Sequence, residues 1–272
     1  MGHLTLACIQ FSSRPFATEQ NLNRAEKLIE EAHRRGAAVV VLPELFNTGY
    51  VEHERLHRLA EACDGATVLK LKAISRKLGV YVAAGFVERF QRHVYDSLAF
   101  STPTGDVAIY RKRHLIFWEH SYFRPGNEPL VVQTSIGRIG FAICADMLHA
   151  DIWRDYRGRI DLAVIAAAWP RACPGMGRRA GWLLRPSEQL AEDVPRAIAR
   201  TLGVPVAFAN HCGACEVRVP MMGPSCPAQF AGRSAILDAA GGRKSSSIDG
   251  EGLVIGSIET GQEHISCGTL SA

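Results

Sequence analysis

The pattern from Leu4 to Leu42 constrains the fold more than any other stretch. Leu4 to Phe11 is an apolar-rich strand, and Ala7 and Cys8 within it suit burial on both faces. Thr18 is placed to cap a helix in which Leu22, Ala25, Ile29 and Ala32 recur at helical spacing until Gly36 ends it. Ala37 to Leu42 is a second buried strand, running out at Pro43-Glu44. A βαβ unit of this kind implies parallel strands joined by a right-handed crossover.

Beyond it, Ala66 to Lys77 reads as a helix closed by Gly79, followed by a strand from Val80 to Phe86. Val94 to Ser101 and Val107 to Lys112, joined by a turn at Pro103 to Asp106, predict an antiparallel hairpin. An aromatic- and histidine-rich loop runs from His114 to Phe123. Leu130 to Thr134 and Arg138 to Cys144 form a second hairpin, and Asp151 to Tyr156 begins a short helix. A buried strand from Asp161 to Ala168, a loop from Arg171 to Arg179, a helix from Glu188 to Leu202 and a strand from Val204 to Asn210 follow. Arg233 to Leu237 and Gly252 to Glu259 are the last strands, separated by the glycine- and serine-rich Ala239 to Gly250. With no repeat, heptad or linker dividing it, the chain reads as one domain over residues 1–272 of α/β class, two mixed sheets covered by helices.

Composition narrows the function classes. Hydrophobic residues make up 47% and charged residues 21%, values of an ordinary globular protein. The net charge of +4 is small and the basic clusters, Arg111-Lys112-Arg113 and Arg178-Arg179, are short, so a nucleic-acid partner is not expected. No apolar run approaches the roughly 18 residues that span a bilayer. The N-terminus lacks a basic, long-apolar leader, which points to a cytoplasmic protein. The eight scattered cysteines suit reduced thiols. Cys212-Gly-Ala-Cys215 invites a zinc or dithiol reading, but a second CxxC or a spaced histidine pair is missing.

Three reactive side chains fall at predicted strand ends: Glu44, Lys112 and Cys144. Ligands of open sheets bind outside the carboxyl ends of strands, so the three can converge. Together they offer a base, a stabiliser of developing negative charge and a nucleophile. A thiol at the end of a buried strand facing a helix start can also have its pKa lowered. Taken one at a time, each has a bland alternative: a capping carboxylate, a surface lysine in a basic turn, a packed core thiol.

Leu42-Pro43-Glu44, Tyr110-Arg-Lys112-Arg-His-Leu115 and Gly140-Phe-Ala-Ile-Cys144-Ala-Asp146 resemble, in this order, segments of the nitrilase superfamily of carbon–nitrogen hydrolases. Asn47-Thr-Gly49-Tyr50, Phe123-Arg-Pro-Gly126, Ala209-Asn210-His-Cys-Gly213 and Gly232-Arg-Ser234-Ala-Ile236-Leu-Asp238 extend the resemblance to about residue 260. It implies an α-β-β-α sandwich and a Glu–Lys–Cys triad. Glu44 would be the general base, Cys144 the nucleophile that forms an acyl-thioester, and Lys112 the oxyanion stabiliser, helped by the Ala145 N–H. Glu119 matches a second glutamate that many members carry after the lysine. Tyr50, His120 and Trp169, each beside such a strand end, are candidate substrate-binding residues, with core or rim packing as the alternative.

The resemblance calls for no cofactor and no metal. It implies a homodimer or larger assembly packed through helices near Asp151 to Tyr156 and Glu188 to Leu202. The synthetase module or transmembrane helices fused to some members are not expected here. The run after the nucleophile departs from the commonest pattern: Ala145-Asp146 stands where nitrilases carry Trp-Glu, and a Phe-Pro-Glu element is missing before Ile152-Trp153-Arg154. The missing Cys-Trp-Glu signature, with Ile152-Trp153-Arg154 fitting amidase-like and carbamoylase-like relatives, favours a small linear amide or an N-carbamoyl compound over a nitrile as substrate. A Cys–His hydrolase using His114, His120 or His149, and a non-catalytic binding protein, are the readings from other classes.

Overall fold

The computed structural model describes residues 2–171, 178–217, 226–245 and 248–260. The N-terminal βαβ unit is β1 (Gly2–Gln10), α1 (Thr18–Arg34) and β2 (Val39–Val41), and β1 and β2 pair in parallel as the sequence predicts. Thr18 is the first helical residue rather than the cap, since Ala17 holds the cap position without a side-chain bond. The turn into the helix is tied instead by buried Asn21. Its Oδ1 accepts from the Arg14 N–H at 2.9 Å, and its Nδ2 donates to the carbonyls of Arg14 at 2.8 Å and Asn47 at 2.9 Å. The start of α1 is thereby anchored to the segment that follows Glu44.

After the short helix α2 (Arg55–Leu59), α3 (Ala66–Leu78) leads through left-handed Gly79 into the pairs β3 (Tyr81–Phe90), β4 (His93–Ser101) and β5 (Val107–Arg111). The predicted loop after Lys112 contains a four-residue helix, α4 (Glu119–Tyr122). The second hairpin, β6 (Val131–Thr134) and β7 (Gly137–Ile143), gives way at Cys144 to a tight 3-10 turn and then α5 (Ala150–Tyr156). Next come β8 (Leu162–Ala167), the two-residue β9 (Pro170–Arg171) and α6 (Arg178–Leu202). The last helix starts ten residues before the predicted Glu188, within what the sequence reads as loop up to Arg179. The remaining strands are β10 (Val206–Asn210), β11 (Ala214–Val217), β12 (Cys226–Phe230), β13 (Ala235–Leu237) and β14 (Gly252–Thr260).

Two large mixed sheets result, ordered β14-β1-β2-β3-β4-β5 and β13-β10-β8-β7-β6. Alternation along β1 shows how they stack. Leu4, Leu6 and Cys8 join Val39, Val41, Phe141, Val164 and Phe208 in the layer between the sheets. Ala7 and Ile9 face the other way, into a layer with Leu22 and Ile29 of α1 and Val68 and Leu71 of α3. On the second sheet, α5 and α6 contribute Ile152, Tyr156, Ala191 and Ile198. The expected α-β-β-α sandwich is therefore what forms. A third sheet, β11-β12-β9, lies where the sequence predicted only loop and a cysteine pair. Cys212 is a buried free thiol whose amide donates to the Phe11 carbonyl at 2.9 Å, and Cys215 is half-buried on β11. Cys173 and Cys267 lie outside the described residues.

The topology puts the strand ends together. β1, β2 and β3 are mutually parallel, β5 is parallel to β3 through two antiparallel pairings, and β7, β8 and β10 are parallel in the other sheet. Gly85 on β3 lets the backbone after β2 approach: a Cβ there would stand 2.5 Å from Glu44 Cα and 2.6 Å from Leu45 N. Backbone cannot yield as a flexible side chain can, so Gly85→Ala should destabilise the fold by about 1 to 3 kcal/mol, as overpacking does. The denaturant midpoint measures this directly.

Candidate active site

Glu44, Lys112 and Cys144 each follow the last residue of β2, β5 and β7 by one to three positions, and all three are buried. The bland reading of Lys112 as a surface residue is excluded, because its side chain is 0% exposed. Its Nζ donates to Glu44 Oε1 at 2.6 Å and to Glu119 Oε1 at 2.6 Å, and lies 3.4 Å from Asp96 Oδ2. Burial by itself lowers the lysine pKa, but Glu119, Glu44 and Asp96 outweigh it and hold the group well above its ordinary value. The ammonium is therefore permanent at neutral pH. Burial raises the Glu119 pKa, with Lys112 opposing.

Glu119 is fixed from three sides. Its Oε2 accepts from the Ile116 N–H at 2.9 Å, closing the turn into α4, and its Oε1 accepts from the Tyr50 hydroxyl at 2.8 Å as well as from Lys112. Tyr50 thus belongs to the cluster, its ring centroid 6.0 Å from Lys112 Nζ. His120, exposed on α4, has its Nε2 3.1 Å from the Leu115 carbonyl oxygen.

Cys144 is 3% exposed and has φ of +47°. Leu45, next to Glu44, and Phe117, two residues before Glu119, also have positive φ, at +46° and +29°. Non-glycine residues held there carry strain that the surroundings must over-determine, and such positions gather at functional sites. Burial raises the Cys144 pKa well above the ordinary thiol value, and Glu44 adds to the effect against an opposing Lys112. This corrects the expectation of a lowered pKa: the 3-10 turn has too few aligned peptides to offset the loss of water. Cys144 rests as a thiol and needs a base.

Asp146 holds two of these strand ends together, a role the sequence did not reveal. One oxygen accepts from the N–H groups of Arg113 at 3.1 Å and His114 at 2.8 Å; the other accepts from the Ile143 N–H at 3.0 Å and the Tyr110 hydroxyl at 2.8 Å. The segment after Lys112 is thereby tied to the turn that carries Cys144 and Ala145. Arg113 reinforces it through Asp155 at 2.7 Å and Asp151 at 3.3 Å. His114 stacks on His149 with centroids 3.6 Å apart and bonds Asp151 at 2.9 Å. Those contacts direct both rings to the α5 surface.

On the other side, Asn210 at the end of β10 accepts at Oδ1 from the N–H groups of Trp169 at 2.8 Å and His211 at 2.9 Å. Its Nδ2 donates to the Gly232 carbonyl at 2.8 Å, and its N–H to Ser234 Oγ at 3.0 Å. These bonds explain why the segments around 210 and 232 belong together, and they fix the backbone at buried Trp169. Buried His211 sets its Nε2 2.6 Å from the Glu44 carbonyl oxygen, and burial lowers its pKa. Beyond Tyr50 opens a cavity of about 680 Å³, lined among others by Phe16, His53, Trp118, Tyr122 and Phe230. A second cavity, about 760 Å³, lies at the opposite ends of β1, β7 and β8 and contains none of these groups. Trp118 and Phe230 are wall residues that no motif signalled. Among the described residues, no helix is long and apolar enough to cross a membrane.

The family model of carbon–nitrogen hydrolases matches residues 5–264. A nitrilase of Pyrococcus abyssi is 36% identical over 145 residues, 52% of this chain and 55% of that protein. An omega-amidase of Xenopus tropicalis is 32% identical over 167 residues (57% and 60%), and an N-carbamoylputrescine amidase of Solanum tuberosum 31% over 153 residues (53% and 51%). The chain thus spans about half the length of the curated relatives it matches. Among solved structures, a CN-hydrolase superfamily protein of Xanthomonas campestris superposes with a TM-score of 0.77 at 26% identity, covering 95% of this chain and 91% of that one. An amidase of Nesterenkonia sp. AN1 shares the fold, with a TM-score of 0.76 at 21% identity over 93% and 90% of the two chains.

Two outcomes follow from the geometry. Alkylation mapped to Cys144 should accelerate about tenfold per pH unit with no plateau up to the ordinary thiol value of 9.0, because only the thiolate reacts; a plateau in the acid range would contradict the raised pKa. Asp146→Asn replaces an acceptor oxygen with an amide among N–H donors, and should cost about 2 to 4 kcal/mol of stability in chemical denaturation.

Proposed function

This chain belongs to the carbon–nitrogen hydrolase family, and from that premise we propose that it hydrolyses a small linear amide through a Cys144 acyl-enzyme. The observation that carries the reading is Lys112, buried and held by Glu44 and Glu119 at 2.6 Å each at the end of a strand in one sheet, while a buried thiol ends a strand of the sheet stacked on it. A buried ammonium that pairs with two carboxylates is costly to build for stability alone. It suits a site where negative charge develops on an oxygen.

The steps balance on these residues. Cys144 Sγ attacks the carbonyl carbon as Glu44 takes the thiol proton, forming the C–S bond and moving the C=O π pair onto oxygen. The Lys112 ammonium and the Ala145 N–H stabilise that oxyanion. Its collapse breaks the C–N bond, and the proton held by Glu44 leaves with the nitrogen as ammonia or amine. Water then gives a proton to Glu44 and adds to the thioester, and the tetrahedral intermediate expels Cys144, which recovers its proton. Glu119 keeps Lys112 in place, with Tyr50 donating to Glu119 behind it. Tyr50 and Trp169 form walls for the substrate, and no step calls for a cofactor or metal.

A second substrate class, N-carbamoyl compounds, is favoured by the similarity to N-carbamoylputrescine amidase. There the thioester is a thiocarbamate, and hydrolysis yields carbon dioxide besides ammonia and an amine. Assay of ammonia and carbon dioxide on a panel of linear amides and N-carbamoyl amines separates the two. Glu44→Gln should lower kcat by about 10² to 10⁴, the usual worth of a general base. Intact-mass measurement of that variant should show an acyl adduct that Cys144→Ala does not form. Full activity in Glu44→Gln would hand the base role to another group, and ammonia from neither class of compound would overturn the proposal.

A further inference from the structure

The mechanism leaves one buried group unused. Asp96, on β4, is 0% exposed, and Lys112 lies directly across from it, its N–H donating to the Asp96 carbonyl at 2.9 Å. The side chain enters the cluster as a third carboxyl around a single ammonium, with Oδ2 3.4 Å from Lys112 Nζ. The carboxyl oxygens of Glu44, Asp96 and Glu119 lie within 4.8 Å of one another. Such a trio can hold a metal ion, but the lysine ammonium already occupies its centre.

Charge and hydrogen bonding both count against three carboxylates. Fully ionised, three carboxyls and one ammonium leave two negative charges uncompensated in a site from which water is excluded. Written as carboxylates, Glu44 Oε2 and both Asp96 oxygens are buried acceptors without a hydrogen-bond donor. Glu119 has no such deficit, since Ile116, Tyr50 and Lys112 supply donors to its two oxygens. One proton placed between Glu44 and Asp96 removes an excess charge and satisfies two orphaned atoms together. Two carboxyls that cannot both ionise share a proton in this way.

We propose that Asp96 rests as a neutral carboxylic acid whose O–H donates to Glu44 Oε2, making it a positioning residue that aims Glu44 at the Cys144 thiol. The groups facing the pair agree with a proton on Asp96. Burial raises the Asp96 pKa most, Glu44 adds to it, Lys112 opposes and Glu119 adds again. Lys112 takes Glu44 Oε1 at 2.6 Å but stands 3.4 Å from Asp96, so the better-paired carboxyl is Glu44. With Oε1 taken by Lys112 and Oε2 by Asp96, the plane of the Glu44 carboxylate is fixed. The positioning role rests on the functional reading above; the proton's location does not.

The test joins infrared difference spectroscopy with kinetics on the full chain. At neutral pH the wild type should show the C=O stretch of a protonated carboxyl, lost in Asp96→Asn and retained in Cys144→Ala. No such band in the wild type, or a band that survives in Asp96→Asn, overturns the proposal. Asp96→Ala should lower kcat about 10- to 100-fold, the effect of stranding a buried partner, with KM within about twofold. Asp96→Asn, which keeps an N–H donor toward Glu44, should recover most of that loss. If Asn falls as low as Ala while both melt as folded proteins, the negative charge is what matters and the proposal fails. If the wild type releases ammonia from no compound tested, the spectroscopic arm still decides where the proton sits, and the failure belongs to the functional reading.

Discussion

The ammonium of Lys112 is the interaction on which the site depends. Removed from water, it is tolerable only because Glu44 and Glu119 each meet it at 2.6 Å and Asp96 stands behind at 3.4 Å. Those carboxyls come from the end of β2, the α4 turn and the middle of β4. Each is buried by a different part of the first sheet and its loops, so the charge network and the packing presuppose one another. Truncating Lys112 would leave its carboxylates without a counter-charge, whereas in the intact set one shared proton leaves a single excess negative charge.

Around that centre, the second sheet supplies a buried thiol. Cys144 sits in a left-handed backbone conformation, buried, its thiol pKa raised. Such strain persists only where neighbours enforce it. Asp146 does so with four accepted hydrogen bonds, two from the chain after Lys112 and one each from Ile143 and Tyr110. The same carboxylate therefore sets the spacing between the two sheets where they meet. On the opposite flank Asn210 and His211 link β8, β10 and the Glu44 backbone. The reactive groups stand on strand ends, and the polar residues behind them cross from one sheet to the other.

Much of this was legible from sequence because it is local. Apolar periodicity predicts α1 and α3 and most strands, since 3.6- and 2-residue periods survive in any tertiary context. The order of the Glu44, Lys112 and Cys144 segments led to the family for the same reason. What escaped depends on pairing across long separations. Asp96 reads as one acid in an apolar run until the β4–β5 register sets it opposite Lys112. The third sheet forms from strands too short to carry a pattern. Thr18 had the right chemistry for a cap, but the bonds of Asn21 to Arg14 and Asn47 decided the entry instead.

Sequence by itself determined the α/β class, the parallel N-terminal unit and the identities of the carboxyl, cation and thiol at the strand ends, because these follow from local pattern and from side-chain chemistry. Tertiary structure alone decided their states. Whether Cys144 is thiol or thiolate, and whether three carboxyls around Lys112 can all be ionised, depends on how much water is excluded and on which charges stand within a few ångströms. Those distances are set by two sheets stacked face to face. No stretch of the chain contains both.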